Sequence, residues 1–108
     1  MTGGTISTNQ AYNGGAVQVW HEGEFIMTGG KIEKNVAGGN GGAVHVSNNG
    51  NFVMYGGTIT GNKTLWENGG GVHVSGTGKF TMSNASNLLP RITGNTAAVD
   101  GGGIWASD

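Results

Sequence analysis

The chain has 108 residues, among them 24 glycines, one proline and no cysteine, and its formal net charge is −1. Because only 10% of the residues are charged, the sequence lacks the clustered Lys/Arg surface that binding to nucleic-acid phosphates requires. No apolar run approaches the roughly 20 residues of a membrane-spanning helix, and without cysteine there are no disulfide bonds and no thiolate metal sites. We therefore expect no nucleic-acid partner and no insertion into a membrane.

Four near-copies of one unit fill the chain and determine its predicted architecture. Each unit starts at a methionine and continues through an Ile-x-x-Asn motif and a glycine run, and three of the units end on a phenylalanine shortly before the next methionine. The starting methionines are Met1, Met27, Met54 and Met82. Their spacing of 26, 27 and 28 residues is typical of a solenoid, in which each unit packs only on its neighbours.

Each unit predicts three short strands, which in the first unit are Thr5–Ser7, Val17–Val19 and Phe25–Met27. Side chains alternate between the two faces of a strand, so the apolar residues at alternate positions share one face. Helix is not expected, because glycine pairs interrupt every window and no i, i+3, i+4 apolar pattern persists. Equivalent residues of successive units should then stack about 4.8 Å apart, which is the spacing of strands in a sheet.

These elements predict an all-β chain folded as a right-handed, three-sided parallel β-helix of about four coils. The Gly-Gly and Asn-Gly pairs suit the corners, which need residues that tolerate positive φ. The whole chain, residues 1–108, should form a single β-solenoid domain, with an incomplete last coil and an insertion near residues 83–87. The coils should cover approximately residues 1–26, 27–53, 54–81 and 82–108.

One asparagine recurs at the end of every Ile-x-x-Asn motif, and we expect it to face the interior of the coil. A buried amide needs a hydrogen-bond partner, and stacked asparagines supply one another with donors and acceptors. The repeat therefore predicts a structural ladder of side-chain amides. Its members are Asn9, Asn35, Asn62 and Asn95.

The glycine run and the Ile-x-x-Asn motif together resemble the paired GGA[VI] and [FI]xxN motifs of polymorphic outer-membrane-protein repeats. In the first unit these motifs are Ile6-Ser7-Thr8-Asn9 and Gly14-Gly15-Ala16-Val17, and their equivalents recur in the other three units. Such repeats belong to bacterial surface adhesins and autotransporter passenger domains with right-handed parallel β-helices. The resemblance implies an extracellular or bacterial cell-surface location.

Aromatic side chains outside the predicted core are the candidate ligand or lateral contacts. The segment between the asparagine and the glycine run varies most in length, and variable loops on one face of a solenoid often carry binding. This segment holds Tyr12 in the first coil and Trp66 in the third. We expect Trp66 mainly to pack back over the coil, with stacking on a sugar ring as the alternative. Trp20 and Trp105 lie at or beside the second strand and are further candidates for lateral contact.

The polar residues do not form a recognisable catalytic or metal site. His45 and His73 fall in one outward column of adjacent coils, but two imidazoles without a third ligand make a weak metal site, so we expect a solvated polar stack. Hydrolases and lyases that act on polysaccharides need two or three converging carboxylates, whereas the acidic residues here fall on different faces of the predicted coil. We therefore expect no catalytic residue, no metal and no cofactor.

The sequence as a whole predicts a non-enzymatic structural repeat module of an extracellular or cell-surface protein, serving as an adhesin stalk or passenger segment. One alternative is a β-solenoid subunit that stacks end to end into an extracellular filament. Another is a carbohydrate-binding or polysaccharide lyase-type domain. The expected partners are accordingly another copy of the chain or the adjoining coils of a longer parent, with surface glycans as a further candidate.

Overall fold

A computed structural model describes residues 1–107 of the chain. These residues contain fourteen β-strands and no helix, so no described helix has the length and apolar character needed to cross a membrane. The strands are β1 (Thr5–Ser7), β2 (Gln10–Ala11), β3 (Val17–Val19), β4 (Glu24–Met27), β5 (Lys31–Glu33), β6 (Val36–Ala37), β7 (Val44–Val46), β8 (Asn51–Met54), β9 (Gly56–Thr60), β10 (Lys63–Thr64), β11 (Val72–Val74), β12 (Lys79–Met82), β13 (Leu88–Thr93) and β14 (Ile104–Ala106).

The strands pair in parallel and build four stacked sheets, which confirms the predicted all-β solenoid. The first sheet contains β1, β5, β9 and β13, and the second contains β2, β6 and β10. The third contains β3, β7, β11 and β14, and the fourth contains β4, β8 and β12. The chain therefore visits the sheets in turn, and each coil adds its strands next to their equivalents from the coil before.

The three-sided form is not confirmed, because the coils contain a further sheet, the second, which sequence reasoning missed. Its strands are only two residues long, and each begins directly after a ladder asparagine. Two residues are too few to show the alternation of apolar and polar side chains by which a strand is recognised, and the three pairs have no residue type in common. In the fourth coil this sheet is reduced to a single bridge between Lys63 and Thr96.

Equivalent residues of neighbouring coils stack in the predicted register. Ile32 pairs with Ile6 on one side and with Ile59 on the other, and Val44 lies in the same way between its equivalents in the third sheet. In the fourth sheet the phenylalanines stack with ring centroids 5.2 and 4.9 Å apart. Each apolar column therefore continues from coil to coil.

The core lies inside the coils and is fully enclosed where a coil has a neighbour on both sides. Ile32, Val44, Val46, Phe52 and Met54 have no exposed surface, as the alternation of side chains predicts. The other apolar residues with no exposed surface are Met27, Ala37, Ala43, Ile59 and Val72. Most equivalent residues of the first and fourth coils are partly buried or exposed, because there the columns end; Val19, at 5% exposure, is an exception.

The predicted insertion in the last unit is divided into two parts by the structure. The N–H of Ser83 donates to the carbonyl of Met54, as Tyr55 does to Met27 one coil earlier, and Leu88 is the next residue with a register partner, Gly56. Residues 84–87 are the extra residues between them and include a turn. One further residue is absorbed by an irregularity between Leu88 and Arg91. The insertion therefore forms a bulge at the edge of the first sheet, and the Ile-x-x-Asn motif that follows keeps its register with the third coil.

The glycine run closes the corner between the second and third sheets, because backbone atoms of the next coil leave no room for a side chain. A Cβ atom on Gly42 would lie 2.1 Å from the carbonyl oxygen of Gly70. Gly41 has a φ of +69°, a left-handed conformation that glycine adopts readily. At this corner the backbone of one coil therefore stacks directly on the backbone of the next. The residues that precede each glycine run lie at the surface.

Candidate contact surface

The segments that precede the glycine runs form one surface, which we call the loop face and which comprises residues 12–13, 38–40, 65–68 and 98–100. The segments of the second and third coils begin in register with the coil below, since the N–H groups of Gly38 and Leu65 donate to carbonyls of the preceding coil. The N–H of Ala98, which begins the last segment, donates to the hydroxyl of Thr64. The segments then differ in length by up to two residues. The loop face is therefore the part of the solenoid where neighbouring coils present different side chains.

Tyr12 lies on the loop face of the first coil and is 65% exposed. Its ring covers the glycine pair of the second coil, because a Cβ atom on Gly39 would lie only 3.0 Å from the ring atom Cε2. The tyrosine therefore packs on bare backbone and leaves most of its surface in solvent.

Trp66 lies on the loop face of the third coil and is 72% exposed, so the expectation that it packs back over the coil was wrong. The reason is the length of its segment, since four residues arch away from the strand where the first coil has two. Leu65 and Val99 on the same face are 42% and 63% exposed. Large apolar side chains that stay in solvent are typical of a contact surface.

The other two predicted aromatic contacts lie elsewhere and differ from one another. Trp20 follows the third-sheet strand of the first coil, is 48% exposed and lies against His21 with ring centroids 4.1 Å apart. Trp105 is only partly exposed and stacks on His73 with ring centroids 4.6 Å apart and an interplanar angle of 15°. The structure therefore does not bring the four aromatic residues together into one site.

His45 and His73 are buried, which corrects the expectation of a solvated stack. They project from the third sheet on the face opposite the core valines, yet they are only 7% and 4% exposed. Each ring is covered by its neighbour in the column, since the two imidazoles stack 5.0 Å apart at 14° and Trp105 covers the second. The alternation of side chains along the strand correctly predicted that both imidazoles point away from the core. It did not predict that stacked rings in one column bury one another.

Burial determines the protonation of this stack. It lowers the pKa of His45, and burial together with the charge of His45 lowers the pKa of His73 to about 4. The Nδ1 atoms of both rings are buried and have no hydrogen-bond partner, so nothing nearby offsets the loss of water around an imidazolium. Both histidines are therefore neutral near pH 7.

The four asparagines of the repeat form hydrogen bonds from coil to coil. The Nδ2 atom of Asn35 donates to Oδ1 of Asn62 over 2.9 Å, and the backbone N–H of Asn35 donates to the same oxygen over 2.9 Å. Asn9 makes the same pair of bonds to Asn35, and Asn62 makes it to Asn95. The last three asparagines also donate to the Ile carbonyl of the preceding coil. We call this arrangement the inner ladder.

A second polar ladder, which sequence reasoning missed, runs along the loop face. The N–H of each member after the first donates to the side-chain oxygen of the equivalent residue in the preceding coil, over 2.9 to 3.1 Å. Its members are Asn13, Asn40, Asn68 and Asp100. The signal was in the sequence, because each of these residues directly precedes a glycine pair. We call this arrangement the outer ladder.

Two surface clefts lie outside the loop face. One has a volume of about 420 Å³ and is formed beside the insertion by Met82, Ser83, Asn84, Leu89, Pro90 and Arg91. The other, of about 260 Å³, is formed by the corner residues His21, Glu22, Asn48, Asn49 and Thr77. Neither cleft contains a pair of carboxylates that could act as acid and base.

The acidic side chains are spread over the solenoid. Glu24 lies on β4 in the fourth sheet, Glu33 lies on β5 in the first sheet, and Glu67 on the loop face accepts a hydrogen bond from Asn40. Among residues 1–107, no group of three or more His, Cys, Asp or Glu side chains is arranged to hold a metal ion. The geometry therefore gives no specific support for hydrolase or lyase chemistry.

The last coil carries both repeat motifs in one continuous segment. Its Ile92–Asn95 motif and its Gly101–Ile104 run stack on their equivalents in the third coil. Residues 91–107 match the Chlamydia polymorphic membrane protein (Chlamydia_PMP) repeat. The predicted resemblance to polymorphic membrane protein repeats is thereby confirmed over this segment. The chain has no significant match among curated proteins or among solved structures.

The matched polymorphic membrane protein repeat has a structural equivalent in every other coil. The isoleucine, the asparagine and the glycine run of the fourth coil belong to columns that continue to the first coil. Proteins with this repeat are surface proteins, which supports a cell-surface location for the chain at a coarse level.

Proposed function

We propose that the chain is a non-enzymatic structural module of a bacterial cell-surface or extracellular protein, acting as an adhesin stalk or passenger segment. The observation that carries this proposal is the match of residues 91–107 to the polymorphic membrane protein repeat. The same motif columns run through all four coils, which supports extending the proposal from the matched segment to the other three coils.

The architecture suits a spacer that holds contact residues at fixed heights. Each coil advances by about 4.8 Å along the axis, and the core columns repeat while the outward positions change. In the third sheet, for example, the outward column reads Gln18, His45, His73 and Trp105. A stalk needs a conserved packing unit and tolerates variation outside it, which is the pattern observed.

The surface location is testable on intact cells of the source bacterium. An antibody raised against the purified chain should label unpermeabilised cells, and brief treatment of those cells with an added protease should remove the label. A cytosolic protein probed in parallel should be neither labelled nor cleaved. Labelling that appears only after the cells are permeabilised would contradict the proposal.

Glycan binding through the loop face is a second candidate function, favoured by the exposure of Tyr12 and Trp66. Aromatic rings that stay in solvent supply flat apolar surfaces on which the C–H face of a sugar ring packs. The enzymatic alternative has no comparable support, because neither surface cleft contains a pair of carboxylates.

A glycan array probed with the purified chain tests this second function. Trp66→Ala and Tyr12→Ala should each reduce binding of a captured glycan by about tenfold, since we expect a sugar packed on one ring to contribute as much as a stacked nucleic-acid base, which contributes about 1–3 kcal/mol. Trp20→Ala is the matched control, because Trp20 is also exposed but lies off the loop face. Equal losses from all three variants, or an array without any signal, would exclude glycan binding at this face.

A further inference from the structure

The chain contains two Asn-x-Ser/Thr triplets, the acceptor sequence for an N-linked glycan. They are Asn62-Lys63-Thr64 and Asn84-Ala85-Ser86. Asn62 is a member of the inner ladder, so the repeat itself accounts for the asparagine of the first triplet. The second triplet lies among the extra residues of the fourth unit, where no repeat motif accounts for it.

Burial excludes the first triplet as an acceptor in the folded chain. Asn62 is 1% exposed, and its Nδ2 atom donates to the carbonyls of Ile32 and Thr60 and to Oδ1 of Asn95. An N-linked glycan replaces one of the two hydrogens on Nδ2, and at Asn62 it would have to lie inside the coil. Attachment there is therefore incompatible with the inner ladder, whether it precedes or follows folding.

The second triplet lies at the surface, in a turn. Asn84 and Ser86 are exposed, and the N–H of Asn87 donates to the carbonyl of Asn84 across the turn. The side-chain amide of Asn84 is oriented through its oxygen, because Oδ1 accepts a hydrogen bond from the N–H of Leu89 over 2.9 Å. Among residues 1–107, neither Nδ2 of Asn84 nor the hydroxyl of Ser86 forms a hydrogen bond. Both groups that define an acceptor triplet are therefore free to meet an enzyme.

The exposure of the second triplet follows from its position in the insertion. The third coil passes directly from Tyr55 into β9, whereas the fourth coil places residues 84–87 between the equivalent positions. These residues have no strand partner in the third coil and form a loop outside the paired strands. The structure therefore separates one triplet that is part of the core from one that is not.

We propose that Asn84 is the attachment site of an N-linked glycan, added by a glycosyltransferase that recognises the Asn84-Ala85-Ser86 triplet. The inference rests on the proposed surface function, because such acceptor triplets are used in surface loops of secreted proteins. The glycan is a bulky, hydrophilic group, and at Asn84 it lies beside Leu89, an apolar residue that is 58% exposed.

The reaction joins the anomeric carbon of an activated sugar to Nδ2 of Asn84. The sugar is supplied as its ester with a nucleoside diphosphate or with a polyprenyl pyrophosphate. The bond between the anomeric carbon and the phosphate oxygen breaks, and the phosphate leaves with the electron pair. Nδ2 gives up one of its two protons to a base of the transferase, and no group is oxidised or reduced.

The first test is mass spectrometry of the protein recovered from the source bacterium with the antibody used for surface labelling. Trypsin separates the two triplets, since Asn84 falls in peptide 80–91 and Asn62 in peptide 35–63. Peptide 80–91 should carry the mass of at least one hexose or N-acetylhexosamine, and peptide 35–63 should carry none.

The outcomes distinguish this inference from the proposed function. A peptide 80–91 that is recovered only unmodified would overturn the inference, wherever the antibody places the protein. A modified peptide from a protein that the antibody detects only inside the cell would uphold the site and show that the proposed location is wrong.

Variants expressed in the same bacterium assign the modification to one asparagine. Ser86→Ala keeps Asn84 but removes the hydroxyl of the triplet, so peptide 80–91 should lose the sugar. Asn87→Gly is the matched control, because Asn87 is exposed in the same turn but is not followed by an acceptor sequence; glycine also suits its φ of 55°. This variant should keep the sugar. A sugar that survives Ser86→Ala and disappears in Asn87→Gly would place the modification on Asn87 and overturn the proposal.

The source of the sugar is tested on unmodified chain purified from a laboratory host without N-glycosylation. One arm adds UDP-glucose and UDP-N-acetylglucosamine with the soluble fraction of the source bacterium. The other arm adds the membrane fraction, which contains polyprenyl-linked sugars. Transfer in one arm identifies the donor, and Asn84→Gln should accept no sugar in that arm. Transfer in neither arm, or equal transfer to Asn84→Gln, would contradict the proposal.

Discussion

The second and third coils differ from the first and fourth in having a coil on each side, and this difference decides how well the same motif is buried. Ile32 and Ile59 have no exposed surface, whereas Ile6 and Ile92, at the equivalent positions of the first and fourth coils, are only partly buried. The residues at equivalent positions are of the same type, so their burial is set by the neighbouring coil. The stability of a coil in this fold therefore lies mainly in its interfaces with adjacent coils.

The polar residues show the same difference in burial between the middle and the terminal coils. Asn62 is 1% exposed and is bonded to a coil on each side, whereas Asn9 is exposed and is bonded on one side only. In the outward column of the third sheet, His73 is enclosed between two rings, while Gln18 at the end of that column is exposed. Substitutions at paired positions of a middle and a terminal coil therefore separate the contribution of the neighbour from that of the residue.

The largest expected difference is in the phenylalanine column. Phe52→Ala should lower the free energy of unfolding by about 3–5 kcal/mol, because it empties an enclosed site between two other rings. Phe25→Ala should cost about half as much or less, since Phe25 is partly exposed and stacks on one ring only. Urea unfolding of both variants, followed by circular dichroism, measures the two values. Equal costs would contradict the view that enclosure on both sides sets the energy.

The inner ladder gives the next largest effect. Asn62→Ala should cost about 1–3 kcal/mol, because it leaves the N–H of Asn35 without its acceptor inside the coil. Asn9→Ala should cost under about 1 kcal/mol, since its amide is exposed and water replaces the lost bonds. The same urea experiment measures both variants, and a neutral Asn62→Ala would show that the ladder does not stabilise the fold.

The histidine stack should make stability depend on pH. Because the pKa of His73 is lowered from 6.5 to about 4, the unfolded chain takes up a proton at a higher pH than the folded chain does. The contribution of the stack is therefore complete above pH 6.5 and is lost as the pH falls towards 4, a decrease of about 1–3 kcal/mol.

The measurement compares how the free energy of unfolding changes with pH in the parent and in His73→Gln. All other ionisable groups are common to the two chains, so the difference reports His73. Glutamine occupies the same column in the first coil, so we expect the variant to fold. The parent should lose more stability than this variant between pH 7 and pH 4.5. Identical pH profiles for the parent and His73→Gln would contradict the buried stack.

The smallest expected effect is at the corner after the third sheet. His21 and Glu22 have φ of 49° and 63°, and the equivalent corner of the second coil places Asn48 and Asn49 in this left-handed region. Asparagine tolerates that region better than glutamate. Glu22→Asn should therefore stabilise the chain by about 0.5–1 kcal/mol, which thermal unfolding detects as a higher Tm. A lower Tm would show that the glutamate side chain makes a stabilising contact that outweighs its strain.

Much of the fold could be predicted from the sequence because its apolar columns repeat at a fixed offset. The offset aligned Ile32 with Ile59 and Val44 with Val72, and alternation along each strand placed these residues inside. The second sheet could not be predicted in this way. Its strands are held by pairing with the neighbouring coil, so their own side chains carry no pattern.

The candidate contact surface was harder to predict because it depends on how neighbouring side chains cover one another. The direction of His73 followed from alternation, but its burial requires the flat rings above and below it. The exposure of Trp66 depends on a loop one residue longer than that of the second coil. The outer ladder was missed for a different reason, since an Asn-Gly pair such as Asn40-Gly41 is also explained by the geometry of a corner.

The central claim, that a coil is stabilised by the coils on both sides of it, is tested most directly by native-state hydrogen exchange at a concentration where the chain is monomeric. Exchange at each amide reports the free energy of the local opening that exposes it. The amides of β5, β7 and β9 should exchange slowest, and those of β1, β3 and β14 should exchange faster, because terminal coils can open without the middle ones. Slowest exchange in the terminal coils, or one uniform rate throughout, would contradict the claim.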